Sequence, residues 1–217
     1  MRKYHKIPNI FKRDYDTKKL IEGDFADKTV EYLQNLTWTF TEKIHGTNIR
    51  VGWDGHNVEI KGRNEHSNIP TKLYERLYDL FKGEDNEELF EQRFGEQPIT
   101  LYGEGYGAKI QKGTGGYLEG EDRDVDFILF DVQIGDKFLD RLQVGKIASY
   151  FGIERVPIVC TGTIKDGVEY VKTHGRSTLN PYAPTEGVVG IPNEELKNQY
   201  GERIVVKIKR RDYDVGG

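Results

Sequence analysis

The chain has 217 residues and a formal net charge of −4, long enough for one domain with a sizeable core or at most two small ones. The acidic balance excludes a protein that grips nucleic acid through its global charge. A single cysteine, Cys160, excludes an internal disulfide framework and points to a reducing, cytoplasmic setting, while no apolar run reaches a membrane span and the start Met1-Arg2-Lys3-Tyr4-His5-Lys6 does not read as a signal peptide.

In chain order, Thr37-Trp38-Thr39-Phe40 alternates and reads as a strand. Asn48-Ile49-Arg50-Val51-Gly52-Trp53 and Val58-Glu59-Ile60-Lys61 then flank Asp54-Gly55-His56-Asn57, a hairpin signature. Residues 70–82 carry Leu73, Leu77, Leu80 and Phe81 at helical spacing, with Pro70 suited to a first turn and Gly83 to a stop. Residues 99–102 and 127–134 read as buried strands, after which Gly135-Asp136 turns the chain into Lys137-Phe138-Leu139. Asp140 is placed to cap a helix that runs through Tyr150 and ends at Gly152. Cys160 lies in the apolar run Val156-Pro157-Ile158-Val159-Cys160 and reads as a core thiol. Residues 188–191 and 203–208 supply late strands. The acidic runs at 84–91 and 119–126 read as solvated charge without a function. Strands dominate and hairpins are frequent, so the expected fold is α+β with mainly antiparallel sheets.

One stretch carries chemistry. Thr41-Glu42-Lys43-Ile44-His45-Gly46-Thr47-Asn48 sets an amine on a tight backbone, where a glycine lets main-chain N–H groups approach a phosphate. In order there follow Lys61-Gly62-Arg63, Leu101-Tyr102-Gly103-Glu104-Gly105, Ile128-Leu129-Phe130-Asp131, Glu186-Gly187-Val188-Val189-Gly190 and Val205-Val206-Lys207-Ile208-Lys209. Lys207 and Lys209 are two apart, so on a strand both ammonium groups share one face and Val206 and Ile208 take the other. Asp131 follows Phe130 with alternating direction and suits a structural hydrogen bond. A lysine acts as a nucleophile only after losing its proton, which desolvation and neighbouring cations favour.

At these residues the chain resembles the covalent nucleotidyltransferases, the superfamily of ATP-dependent ligases and mRNA capping enzymes. His45, where DNA ligases and capping enzymes usually carry an aspartate, resembles the type 2 RNA ligases. The resemblance runs from about residue 37 to 211, and Lys3-Tyr4-His5-Lys6-Ile7-Pro8 is similar to the leader that precedes the first strand in that branch. It implies the nucleotidyltransferase fold, with two mainly antiparallel sheets and flanking helices. The implied activity is that of an ATP-dependent RNA ligase, joining 5′-phosphate to 3′-hydroxyl ends through a lysyl–AMP intermediate with Mg²⁺ or Mn²⁺. Lys43 is then the nucleophile, with Lys207 and Lys209 as a phosphate clamp. Glu42, His45, Asn48, Arg63, Glu104 and Phe130 are expected to contact the nucleotide, with Phe130 stacking on adenine, and Glu186 to hold the metal. Residues 1–217 are expected to form a single adenylylation domain, without a C-terminal OB or helical domain. The expected partner is RNA, a nicked duplex above a free single strand, bound by a monomer or with an accessory protein that docks it. A minimal DNA ligase and a non-catalytic nucleotide- or RNA-binding module are the alternatives.

Overall fold

Alternating β-branched and aromatic residues, broken by a few helical stripes, dictate a chain in which strands outnumber helices. A computed structural model describes residues 1–111, 115–119 and 122–213. Its elements run β1 (Phe11–Arg13), β2 (Leu20–Phe25), α1 (Lys28–Tyr32), β3 (Trp38–Glu42), β4 (Thr47–Trp53), β5 (Val58–Gly62), α2 (Thr71–Phe81), α3 (Glu84–Phe94) and β6 (Ile99–Gly107). There follow β7 (Val125–Ile134), β8 (Lys137–Phe138), α4 (Arg141–Tyr150), β9 (Glu154–Arg155), β10 (Ile158–Gly162), α5 (Ile164–Thr173), β11 (Gly187–Pro192) and β12 (Val206–Lys209). Residues 120 and 121 of the second acidic run lie outside the described residues. Among the described residues, no helix is long and apolar enough to cross a membrane.

The chain divides into two compact units, and the first comprises Met1–His5 and His45–Val156. Its sheet has the order β5-β4-β6-β7-β8, with β9 pairing β7 in parallel. The hairpin between β4 and β5 closes as expected, because Asp54 Oδ1 accepts from the backbone N–H of His56 at 2.8 Å and of Asn57 at 2.7 Å. Along α2, Leu73, Leu77 and Phe81 form a fully buried stripe against Ile49, Leu101 and Phe127. Each such side chain contributes about 1.5–3 kcal/mol of apolar burial. The acidic run at 84–91 is not merely solvated charge. It builds α3, whose first turn holds Glu84, Asp85 and Glu87 where the helix dipole favours negative charge, and whose Phe90 is fully buried. Strand β6 continues past the expected 99–102 to Gly107, because β4 pairs it on one side and β7 on the other. Helix α4 starts where Asp140 Oδ1 accepts from Gln143 N at 2.7 Å.

The second unit comprises Lys6–Ile44 and Pro157–Gly217. Its four-stranded antiparallel sheet has the order β10-β3-β11-β12, and β1 and β2 form a separate antiparallel pair. Helix α5 opens with a reciprocal cap between Thr163 and Asp166 and buries Ile164, Val168 and Val171 with Trp38, Phe40, Val188, Val206 and Ile208. The last strand starts three residues later than the expected 203: Arg203 instead bridges Lys197, and Ile204 N–H donates to Leu196 O at 3.1 Å. Cys160, on β10, is partly buried against this core, and burial with the nearby charge of Asp166 pushes its thiol up. A raised thiol is a poor nucleophile.

Candidate active site

In the second unit, sheet register assembles a charged cluster. Strand β11 lies between β3 and β12, and its first residue, Gly187, pairs with Lys209 while its carbonyl accepts from Lys43 N–H at 2.9 Å. Glu186, immediately before it, is thereby held between the two lysines. Its Oε2 lies 2.6 Å from Lys43 Nζ and its Oε1 3.0 Å from Lys209 Nζ. The junction tolerates only glycine at 187, where φ is +139° and a Cβ would sit 2.0 Å from Ile208 O. Lys207, two residues before Lys209, pairs with Val189, and its N–H donates to Pro8 O at 2.9 Å. Val206 and Ile208 are buried in the core, as the two-residue period requires.

The electrostatics of this cluster are unbalanced. Burial alone would raise the Glu186 carboxyl, but the charge of Lys43 and the hydrogen bonds from Lys43 and Lys209 outweigh it and hold it below the usual carboxylate range. Lys207 is held below the usual lysine range by burial, then by the charges of Lys209 and Lys43. Three ammonium groups thus share one carboxylate. The cluster favours a multiply charged anion. Arg210 does not join it. Its backbone has left the strand, and its guanidinium donates to the carbonyls of Val171, at 2.8 Å, and Lys172 in the last turn of α5. Glu42 is 3% exposed and turns to Thr178, whose N–H and hydroxyl both donate to Oε2.

In the first unit, the turn after His45 is packed against β6. A Cβ on Gly46 would lie 2.2 Å from Gly105 O, which is why glycine occupies this position. His45 Nε2 donates to Gln111 Oε1 at 3.1 Å, the Gln111 amide donates to Gly46 O, and His45 N–H donates to the Tyr117 phenol at 3.2 Å. Asn48 and Glu104 face each other across β4 and β6, and Asn48 Oδ1 is buried without a hydrogen-bond partner among the described residues. Arg63 lies one residue beyond β5 and is exposed. Phe130 sits at a bulge: Tyr102 pairs with Asp131 and Gly103 with Leu129, so Phe130 is the extra residue. Arg141 fastens the bulge, donating to Phe130 O at 2.6 Å and to Asp131 Oδ1 at 2.9 Å. Tyr4 OH donates to Asp131 Oδ2 at 2.8 Å, and its ring meets Phe130 edge-on at 5.1 Å. The structural hydrogen bond expected of Asp131 is therefore present, made by a fully buried carboxylate.

Spacing in the sequence does not point to Tyr4, Gln111, Arg141 or Thr178. All four act through partners distant in the chain or through irregular backbone, and the one advance signal is an aromatic, Tyr4, inside a charged leader.

Residues 36–214 match the model of the RNA ligase family. A search among curated proteins returned no match. Among solved structures, the chain is similar to a mutant Naegleria gruberi RNA ligase with ATP and Mn, at 18% identity and a TM-score of 0.63, covering 86% of this chain and 52% of that one. It is also similar to an apo mutant of the same ligase, at 16% identity and a TM-score of 0.64 over 97% of this chain and 60% of that one. A third similar structure is the ligase with PPi, at 16% identity and a TM-score of 0.62 over 97% and 62%. The chain thus spans roughly half to three fifths of the length of these structures. They share its fold, the expected α+β arrangement of mainly antiparallel sheets with flanking helices. With a family model matched over residues 36–214, well over half of its length, the chain belongs to the RNA ligase family.

Proposed function

We propose that this chain is the adenylylation domain of an ATP-dependent RNA ligase, with Lys43 as its nucleophile. The observation that carries the reading is the cluster of Lys43, Lys207 and Lys209 around the single carboxylate of Glu186. Its excess of positive charge suits a triphosphate, and it lies within the segment that matches the family. The Lys43 amine attacks the α-phosphorus of ATP, so that the N–P bond forms as the bond to pyrophosphate breaks. AMP then passes to a 5′-phosphate on RNA, and a 3′-hydroxyl displaces it. Lys207 and Lys209 stabilise the charge that accumulates on the phosphoryl oxygens. For Lys43 to attack, its hold on Glu186 has to be released.

Glu186 is assigned to a divalent cation, because Mg²⁺ takes one or two carboxylates together with substrate phosphates and keeps several waters; both its oxygens are held by Lys43 and Lys209, so the cation would join with the triphosphate as those contacts open. Such a cation supplies further charge neutralisation when bound. Asn48, whose side-chain oxygen is buried without a partner among the described residues, suits the ordering of water. His45, Arg63 and Glu104 are assigned to the nucleotide's phosphates and ribose, and Phe130 to its base, for which a half-buried aromatic face at a bulge is suited. Residues 1–217 act as one domain in this reading, since the first unit's segment 45–156 is inserted in sequence within the second unit. The substrate is a nicked RNA duplex, and the setting is intracellular.

Incubation with ATP labelled at the α-phosphate tests the reading. Label should stay on the denatured protein and vanish in Lys43→Ala; label that persists in that variant removes Lys43 from its role. Nicks whose 3′-hydroxyl strand ends in ribonucleotides or in deoxyribonucleotides test the substrate, and equal sealing of both would leave RNA without support.

A further inference from the structure

Among the described residues, Arg50 is the one lysine or arginine that is buried, with a side chain 1% exposed. Its guanidinium donates from Nε to Gly62 O at 2.8 Å, from Nη2 to Glu65 Oε1 at 3.2 Å and from Nη1 to Met1 O at 3.5 Å. Burying a charge is a poor route to stability, because an apolar side chain of like volume serves as well or better. What an apolar side chain cannot do is fix a carbonyl and a carboxylate with one planar fork. Two of the three acceptors, at 62 and 65, bracket Arg63. We propose that Arg50 is a positioning residue for Arg63, holding the chain on either side of it so that the Arg63 guanidinium stays presented to the nucleotide. This rests on the assignment of Arg63 to phosphate and ribose above and adds the residue that aims it.

Sheet register says where Arg63 is held. Ile49 pairs with Gly62, so one further step sets Arg63 opposite Asn48, and Asn48 pairs with Glu104. Arg63, Asn48 and Glu104 thus follow one another in a row across β5, β4 and β6. Arg50 is two residues from Asn48 on β4, so it lies on the same face one row further in, opposite the core face of Ile49 and Val51.

Strand β5 is the edge of its sheet and ends at Gly62, so the ladder stops one residue short of Arg63. The Arg50 side chain continues the hold where the ladder stops. Beyond it, Lys61 Nζ lies 3.1 Å from Glu65 Oε2, Asn64 N–H donates to Ser67 Oγ at 3.0 Å, and Ser67 N–H donates to Asn64 O at 3.1 Å. Arg63 is exposed and has no hydrogen bond or ion pair among the described residues. One guanidinium grips the segment and the other is left for an anion. Glu65 is 60% exposed, so its replacement tests the grip without removing core.

Amide hydrogen exchange and calorimetric ATP binding without divalent cation test the proposal on the full chain. In Glu65→Ala, exchange of the Asn64, His66 and Ser67 amides should rise about tenfold, while that of Leu77 in α2 stays within about twofold. ATP should bind about tenfold more weakly to Arg50→Met and about threefold more weakly to Glu65→Ala. Arg50→Lys keeps the charge without the fork and should follow Arg50→Met. With Arg63→Ala in place, the further loss from either change should fall to about twofold or less, because the residue through which they act is gone. A general loss of structure would instead weaken binding equally in both backgrounds. The Glu65 result is the sharper one, since removing an acid would by charge alone tighten an anion. Losses of equal size with and without Arg63, tighter ATP binding in Glu65→Ala, or loop amides that exchange as in the unaltered protein would each overturn the assignment. An unaltered protein that binds no ATP overturns the proposed function and this assignment with it, whereas ATP binding with additive losses overturns the assignment alone.

Discussion

Removing the side chains of Lys207, Lys209 and Arg210 one at a time separates three roles that adjacency in sequence conceals. Lys209 has a side chain 17% exposed and donates to Glu186 at 3.0 Å, a carboxylate that also keeps Lys43. Lys209→Ala removes one of two partners, so the fold should lose about 1 kcal/mol, below the roughly 1.5–3 kcal/mol of an uncompensated charged hydrogen bond. That is a drop of about 2–4 °C in melting temperature for a chain of this size. Lys207 is the opposite case. Burial and the neighbouring ammonium groups of Lys209, Lys43 and Lys6 disfavour its charge, so Lys207→Ala should leave the melting temperature unchanged or raise it. Arg210→Ala strips a donor from the carbonyls of Val171 and Lys172 at the end of α5, costing about 1 kcal/mol.

Activity should sort the same variants differently. In the proposed phosphate clamp the two lysine changes should each remove a charge contact worth about 2–4 kcal/mol, or about thirtyfold to several hundredfold in the rate of enzyme–AMP formation. Arg210→Ala should stay within about threefold, because it makes no contact with that charge and its effect is on stability. Single-turnover labelling with α-labelled ATP, run beside thermal melts, reads both axes. Labelling as slow in Arg210→Ala as in the lysine variants would refute the clamp. A melt of Lys207→Ala as low as that of Lys209→Ala would refute the like-charge account of Lys207.

Arg141→Met should cost about 3–5 kcal/mol in urea unfolding, because it leaves the fully buried Asp131 carboxylate with Tyr4 as its remaining hydrogen-bond donor of the two described here; a loss under about 1 kcal/mol would show that the bulge holds without it. Gly187→Ala should lower both the melting temperature and labelling, since its Cβ would meet Ile208 O at 2.0 Å where β11 and β12 pair, and normal labelling would mean the register is not needed. Burial pushes the Tyr102 phenol up to about 12, so the folded state holds its proton where the unfolded chain, titrating near 10.0, has lost it. Its contribution is complete below about pH 10 and is lost as pH rises towards about 12. Tyr102→Phe should flatten that alkaline slope between urea melts at about pH 9 and about pH 11, and an equal slope in both proteins would assign it to other groups.

Features with a local period were legible in the sequence. Leu73, Leu77 and Phe81 announce α2, and the alternation of Val206, Lys207, Ile208 and Lys209 announces a strand with two cations on one face. Helix α3 was not legible, because an isolated buried Phe90 among acids has no stripe to read; its stability comes from charge at its first turn and from packing into the core. The extension of β6 was hidden for a related reason. Gly103 and Gly105 read as loop residues, and only pairing on both edges makes them strand.

The candidate site was legible as a list of residues and not as an arrangement. Lys43 and Glu186 are 143 positions apart, and nothing in their spacing says that they meet at 2.6 Å. What brings them together is register: β11 pairs with β3 and β12, Gly187 meets Lys209, and Glu186 follows from its neighbour. Side chains alternate across a strand, so a slip of one residue between β11 and β12 would turn Lys207 and Lys209 to the core face and bring Val206 and Ile208 out. Burial of those two apolar residues against Phe40 and Val188 therefore protects the charge cluster as well as the fold. The core contacts select the register, the register places the lysines, and the chemistry proposed for Lys43 depends on apolar residues that touch no substrate.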